Sequence, residues 1–212
     1  MERSRDGKRR IAEAVWRTVA RDGVAGVSVR AVAAEAGVTG GTVQYHFPTH
    51  AQMLHFAMEL LAEQFTQRLV NMPRSGPVLE WTRAILLELL PLSDERHREF
   101  QVWLAFTTHA HTDPGLTALK QRFATQLREL YQRLIHARHA SSGRTNVPSS
   151  PAPDTADDQD AAVLQAVIDG LALQLADMTP SEAGAMGPSL LDHFLEIAAA
   201  SADLHPHHSD RG

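Results

Sequence analysis

Along most of the chain, apolar residues return every three or four positions. Ile11, Ala14, Val15, Thr18 and Val19 follow i, i+3, i+4, i+7, i+8, one face of a helix that stops near Asp22-Gly23. The same spacing predicts further helices over 49–71, 77–91, 94–111, 113–138, 158–178 and 188–202. The breaks between them are chemical. Pro73, Gly76 and Pro77 end one, Pro91 another, and Asp113-Pro114-Gly115 a third. No run alternates with period two over a strand's length. The pattern therefore predicts an all-α fold of about nine helices, without a sheet.

The stretch AVAAEAGVTGGTVQYHF, residues 31–47, breaks the expectation that a starting helix avoids glycine, which costs roughly 0.5–1 kcal/mol against alanine there. Ser28 is a good N-cap, and Val27 before it with Val32 after it form a hydrophobic staple. That helix reaches Ala36, and Gly37 suits the left-handed position past its end. The device then repeats, with Thr39 as N-cap and Val38 and Val43 as staple. Two short helices, about 28–35 and 39–46, joined by a tight turn containing Gly make a helix-turn-helix. In such a motif the second helix enters the major groove with its N-terminal residues foremost. Gly40 and Gly41 then remove side chains where backbone meets a phosphate or a base edge, beside the free N–H groups of a helix start. Val38 to Thr42 follow a helix, not a strand, so these glycines are not a nucleotide loop.

Charge sharpens this division. Residues 1–50 carry eight Arg or Lys and five Asp or Glu, for +3, while the rest of the chain carries −8. A basic module facing an acidic partner is implied. Hydrophobic residues are 43% of the 212, enough for a sizeable core, and no apolar run approaches the roughly 18 residues of a membrane span. MERSRDGKRR has no apolar segment behind it, and there is no cysteine, so the expected location is the cytoplasm. The expected organisation is a DNA-binding unit over 1–48 and a helical regulatory and dimerisation unit over 49–204. The Ser/Pro-rich segment 141–157 is expected as a mobile loop and 205–212 as a disordered tail.

The words RRIAEAVW, RDGVAGVSVRAVAAEAGVTGGTVQYHF and PTHAQML over residues 9–54 resemble the DNA-binding domain of the TetR family of bacterial transcription regulators. Thr49-His50-Ala51-Gln52 reads as the capping box of the fourth helix of such a domain. The resemblance makes Arg10, Ser28, Arg30, Thr39, Gly40, Gly41, Thr42, Gln44, Tyr45, His46 and His50 the candidates for DNA contact. Val29, Val32, Ala33, Val43 and Phe47 are expected in the small core. Ser28, Thr39 and Tyr45 are assigned to phosphates, and Arg30, Thr42 and Gln44 to base edges. Gln44 stands where most of the family has Tyr, and His50 where it has Lys, which implies more pH-sensitive binding.

Residues 160–174 resemble the C-terminal domain of the BetI-type branch, whose namesake responds to choline. This helix and DHFLEIAAA after it are apolar around most of their circumference and need burial. The resemblance implies that they pair with the same two helices of a second subunit. Leu164, Val167, Ile168, Leu171, Leu191, Phe194 and Leu195 are the expected homodimer contacts. Gly170 is expected to mark a close helix crossing. The resemblance also implies a cavity for a small-molecule effector between the middle helices, for which Trp81, Trp103, Phe106, His109 and Gln174 are the candidates. The expected partners are thus double-stranded operator DNA, a second copy and an effector, with no cofactor. His109 and His111 at i, i+2 leave a helix on different faces, and His205, His207 and His208 sit in the expected tail, so no metal site is implied.

The leading expectation is a homodimeric repressor released from a palindromic operator by its ligand. A second is an architectural or cell-division-related DNA-binding protein of the same fold without effector. A third is a helical enzyme with an incidental basic head. It needs convergent polar groups that the body lacks, and no P-loop, G-x-S-x-G or H-E-x-x-H is present, so no catalytic residue is assigned.

Overall fold

The computed structural model describes residues 2–141 and 155–204. All regular structure in it is helical: α1 Glu2–Asp22, α2 Val29–Ala36, α3 Gly40–His46, α4 His50–Asn71, α5 Val78–Glu88, α6 Asp94–His109, α7 Pro114–Ser141, α8 Thr155–Ala176 and α9 Pro180–Leu204. Short 3-10 turns at Val24–Gly26 and Ala110–Thr112 follow α1 and α6. No described helix is long and apolar enough to cross a membrane.

Two hydrophobic clusters hold these helices. The first takes Ile11, Val15 and Val19 from α1, Val32 from α2, Val43 from α3, Met53, Leu54, Ala57, Met58 and Leu61 from α4, Val102 and Phe106 from α6, and Leu116 and Leu119 from α7. It therefore draws on both sides of the expected division at 48/49. Trp16 Nε1 adds a hydrogen bond to the Ala57 carbonyl at 2.9 Å, tying α1 to α4. The second cluster joins α5 and the C-terminal end of α4 to α7, α8 and α9 through Ile85, Leu86, Tyr131, Leu134, Ile168, Leu175 and Leu191.

Several helix ends depart from expectation, α5 among them, which ends at Glu88 and not at 91. The first helix begins at Glu2, so the basic stretch before Ile11 is helical from there on. The 141–157 segment is shorter than expected, because Ser141 closes α7 and Thr155 opens α8; residues 142–154 and the tail 205–212 lie outside the described residues. Finally, α9 starts at Pro180 and not at 188. Thr179 Oγ1 accepts from the Glu182 amide at 3.3 Å while Glu182 Oε2 accepts from the Thr179 amide at 3.0 Å, a reciprocal cap with Pro180 at the first helical position.

Gly184 and Gly187, ahead of the helix expected from 188, are contact residues. A Cβ on Gly184 would lie 2.9 Å from the Leu92 carbonyl oxygen, and one on Gly187 would lie 2.3 Å from Leu92 Cδ2. The helix continues through Pro188 with Gly184 and Gly187 set against this corner. Gly184→Ala, which meets backbone, is expected to cost about 1–3 kcal/mol by overpacking. Gly187→Ala, which meets a side chain able to turn away, should cost less; thermal unfolding of the two variants checks the order. Gly170, expected at a crossing, has no atom within 4 Å of its Cβ position among the described residues.

Candidate nucleic-acid interface and cavity

The helix-turn-helix is built by its caps. Ser28 Oγ accepts from the Ala31 amide at 3.1 Å, and Gly37 ends α2 at φ 63 with its amide bonded to the carbonyls of Ala33 and Ala34. Thr39 Oγ1 accepts from the Thr42 amide at 3.1 Å and lies 2.9 Å from Thr42 Oγ1, so the two hydroxyls share a hydrogen bond at the start of α3. Val27, Val32 and Val43 are buried beneath, with Val38 packed against them, together with Ala33 and Phe47; Val29 packs against the same cluster. The fourth-helix box is present too: Gln52 N donates to Thr49 Oγ1 at 3.1 Å and Thr49 N to Gln52 Oε1 at 3.3 Å.

Salt bridges fix the frame. Glu35 on α2 accepts from Arg17 at 2.6 Å and from Arg21 at 2.9 Å, both on α1, and these two cations hold its carboxyl below the usual range. Arg10 donates to the Ala36 carbonyl at 3.2 Å. This residue, expected on phosphate, thus also closes the end of α2, though it stays exposed.

Above this frame Arg30, Thr39, Gly41, Gln44 and Tyr45 are exposed together with Ser28, and Tyr45 is 81% accessible. Gly40 and Gly41 are the first two residues of α3. A Cβ there would have only ordinary contacts, 3.6 Å to Val29 and 3.8 Å to Thr39, and neither has positive φ. Among the described residues, neither a close contact nor a backbone angle requires glycine at these positions.

Two candidates are placed differently. His46 is half-buried and lies back against α1, where a Cβ on Gly7 would come within 2.7 Å of its Nε2. His50 Nε2 sits 3.0 Å from the Val27 carbonyl, a backbone tether between the start of α4 and the turn before α2. Sequence reasoning missed Lys8, whose ammonium stands over the rings of Phe47 and Phe56 at 5.7 and 5.8 Å.

The body holds a partly open cavity of about 110 Å³ between α4, α6, α7 and α8 and the end of α5. Of the expected pocket residues only Trp103 lines it. Phe106, one turn further along α6, is fully buried in the first cluster, and Trp81 packs against the second. His109 ends α6 and Gln174 is exposed on α8; neither lines the cavity. The missed residues include Phe65, Phe100, Phe123 and Tyr131, with Arg68, Glu88, Arg96, Glu99 and Asp169. A signal existed: Arg96, Glu99, Phe100 and Trp103 stand at i, i+3, i+4, i+7, one helix face mixing charge with rings.

The charges in the wall form a network. Arg68 bonds Glu88 at 3.1 Å and Glu99 through both its terminal nitrogens, at 2.9 and 2.5 Å. Burial pulls the Arg68 guanidinium down, but the bonds to Glu99 and Glu88 outweigh it and hold the group above its ordinary value. Arg96 bonds Glu88 at 3.2 Å and the Leu87 carbonyl at 3.0 Å. Asp169 is raised by partial burial, opposed by a hydrogen bond with Gln165. Tyr131 is raised far above its ordinary range by burial and by the Asp169 charge.

The expected dimer contacts divide. Leu164, Ile168 and Leu191 belong to the chain's own core, while Val167, Leu171, Phe194 and Leu195 are only partly covered. The outward stripe of α8 is Val163, Ala166, Val167, Gly170 and Leu173, and that of α9 includes Met186 and Ile197. Val163, Leu173 and Ile197 are 60%, 48% and 52% exposed.

A family model described as bacterial regulatory proteins of the tetR family matches residues 11–57, and one described as the C-terminal part of BetI-type transcriptional repressors matches 78–197. The HTH-type transcriptional regulator PksA of Bacillus subtilis (strain 168) is 39% identical over 104 residues, 49% of this chain and 51% of that protein. The chain thus spans about half the length of this curated relative. The crystal structure of a transcriptional regulator from Rhodococcus sp. Rha1 is similar at a TM-score of 0.71 and 32% identity, over 90% of this chain and 92% of that one. The fold is shared with a regulator from Saccharomonospora viridis in complex with choline, at a TM-score of 0.75 and 23% identity, over 90% and 96% of the two chains. With a helix-turn-helix over the first family match and a helical body over most of the second, the chain belongs to the TetR family of transcription regulators, in its BetI-type branch.

Proposed function

We propose that this regulator is a homodimeric repressor that leaves a two-fold symmetric operator when a small molecule enters its cavity. The observation that carries the reading is the sharing of α4 and α6 between cavity and head. On α6, Trp103 faces the cavity while Val102 and Phe106 are buried with the helix-turn-helix. On α4, Phe65 and Arg68 line the cavity while Met53, Leu54, Ala57 and Met58 underlie the head. A ligand that alters the packing of either helix acts on the orientation of α3. Ligand and DNA then compete through one two-state equilibrium. The fold accommodates a small molecule in the Saccharomonospora neighbour, which holds choline.

In this reading Arg30, Thr42 and Gln44 meet base edges, and Ser28, Thr39 and Tyr45 meet phosphates. Gly40 and Gly41 let the start of α3 approach closely, and Arg10 adds a phosphate contact from its place beside α2. His46 packs back against α1, and His50, exposed at the start of α4, is tethered to the Val27 carbonyl. A second copy, joined through the α8–α9 stripes, places two recognition helices about 34–36 Å apart for successive major grooves. The protein works in the cytoplasm, where the operator is.

The test is selection of bound sites from random duplex DNA with the purified protein. A two-fold symmetric consensus supports the reading. Enrichment of nothing over bulk DNA refutes it in favour of a sequence-blind architectural role. Thr42→Ala and Gln44→Ala should each relax base preference at one position, by about 1–3 kcal/mol where the contact is bidentate or well packed. Unchanged affinity and preference in Gln44→Ala would remove Gln44 from the groove.

A further inference from the structure

The cavity is small for the ligand that the proposed function gives it. Its volume of about 110 Å³ lies below the roughly 300–1,000 Å³ of sites that take drug-sized molecules. An effector of that size has to part the wall. Much of the wall is apolar and continuous with the core: Leu61 belongs to the first cluster, and Leu90, Ile168 and Ala172 to the second. Moving these residues breaks close packing. The edge made by Arg68, Glu88, Arg96 and Glu99 is different. All four side chains are partly exposed, so their charges exchange one another for water at a smaller loss.

That edge joins the two helices shared with the head. Arg68 on α4 donates to both oxygens of Glu99 on α6, at 2.9 and 2.5 Å. Such a fork forms in one relative position of its two carriers and not in others. From Arg68, α4 runs back about 15 Å, at 1.5 Å per residue, to Met58, which is buried with the head. From Glu99, the next turn of α6 brings Val102, buried in the same cluster. Arg68 also donates to Glu88 at 3.1 Å, but Glu88 ends α5, and α5 adds no residue to that cluster among the described residues. One guanidinium thus holds two carboxylates, one on a helix that carries the head and one on a helix that does not.

We propose that the Arg68–Glu99 pair is a latch: closed, it fixes α4 against α6 in the arrangement that grips DNA, and an effector widens the cavity by parting it. The proposal rests on the reading above that ligand and DNA compete through one equilibrium. Arg68 and Glu99 are positioning residues, acting on α3 through their helices. Arg96, bonded to Glu88 and to the Leu87 carbonyl, keeps the α5 carboxylate in place when the latch opens.

The two carboxylates supply the test, because they are closely matched apart from their helix. Glu88 and Glu99 are 21% and 20% exposed, and both bond Arg68. Fluorescence anisotropy measures the affinity of the full chain, of Glu99→Gln and of Glu88→Gln for the symmetric site recovered by selection. Glu99→Gln is expected to lose about tenfold or more, and Glu88→Gln less than about threefold, both with the parent's sedimenting mass. If Glu99→Gln binds as the parent does, if Glu88→Gln loses as much, or if affinity only follows the thermal midpoint across the two variants, the proposal is overturned. Glu99→Asp keeps the charge but withdraws it by one methylene, so it should fall between the parent and Glu99→Gln. Parent-like binding by Glu99→Asp overturns the latch even where Glu99→Gln does not fold. A symmetric site bound equally by parent and Glu99→Gln removes the latch alone, whereas recovery of no symmetric site removes the regulator reading and the latch with it.

Discussion

Leu173→Glu combined with Ile197→Glu is expected to yield a folded monomer whose operator affinity falls by a factor on the order of 10²–10⁴, the advantage normally gained by linking two binding units. The effect is large because the two environments differ so much. In the single chain both residues are about half exposed, and a carboxylate there reaches water at small cost. In the proposed dimer the same positions would be closed off, and each charge would be buried without a partner, twice over by symmetry. Sedimentation velocity reads the mass and a gel shift reads the DNA. A double variant that still sediments as a dimer would place the interface elsewhere than on the α8 and α9 stripes.

The largest effect on stability is expected from Phe106→Ala, about 3–5 kcal/mol. Phe106 is fully buried in the cluster that holds α1, α2, α3, α4, α6 and the start of α7 together. Alanine there leaves a hole bounded by helices that are themselves pinned, Trp16 to the Ala57 carbonyl among them, so collapse around it is limited. Denaturant titration measures the loss. Phe106→Leu, which keeps most of the volume, is the more informative variant for regulation. It should stay folded and bind operator while responding more weakly to ligand, since the side chain between Trp103 and the head is the one loosened. An unchanged ligand response in Phe106→Leu would mean that α6 is not the transmitting element and leave α4.

The parts of the molecule that sequence made legible are those decided within four residues. Ser28, Gly37, Thr39 and the Thr49–Gln52 pair act on amides of their own turn, so their meaning survives without knowledge of the rest. The start of α9 was equally local, in Thr179, Pro180 and Glu182, but the helix was expected only from 188, past Gly184 and Gly187. Their reason is Leu92, almost a hundred positions earlier, and no periodicity carries that. The cavity failed for the same cause. Aromatic identity alone did not separate Trp103 from the fully buried Phe106 on the next turn. On α8, apolar residues all round the helix marked it as buried but could not divide Leu164 and Ile168, which face their own chain, from Val163 and Leu173, which face out.

The sharing of α4 and α6 has a practical consequence for anyone wishing to rewire the regulator as a sensor. Cutting after Phe47 and grafting a foreign reading head would leave Met53, Leu54, Ala57 and Met58 facing a surface they were not fitted to. The seam between reader and receiver does not run between two segments of chain. It crosses α4 between Met58 and Phe65 and divides α6 between Trp103 and the Val102–Phe106 side, so a working hybrid must exchange the first half of α4 and one side of α6 together with the head. On the proposed reading, exchanging Phe65 or Phe123 would reshape the cavity without touching the residues that carry α3.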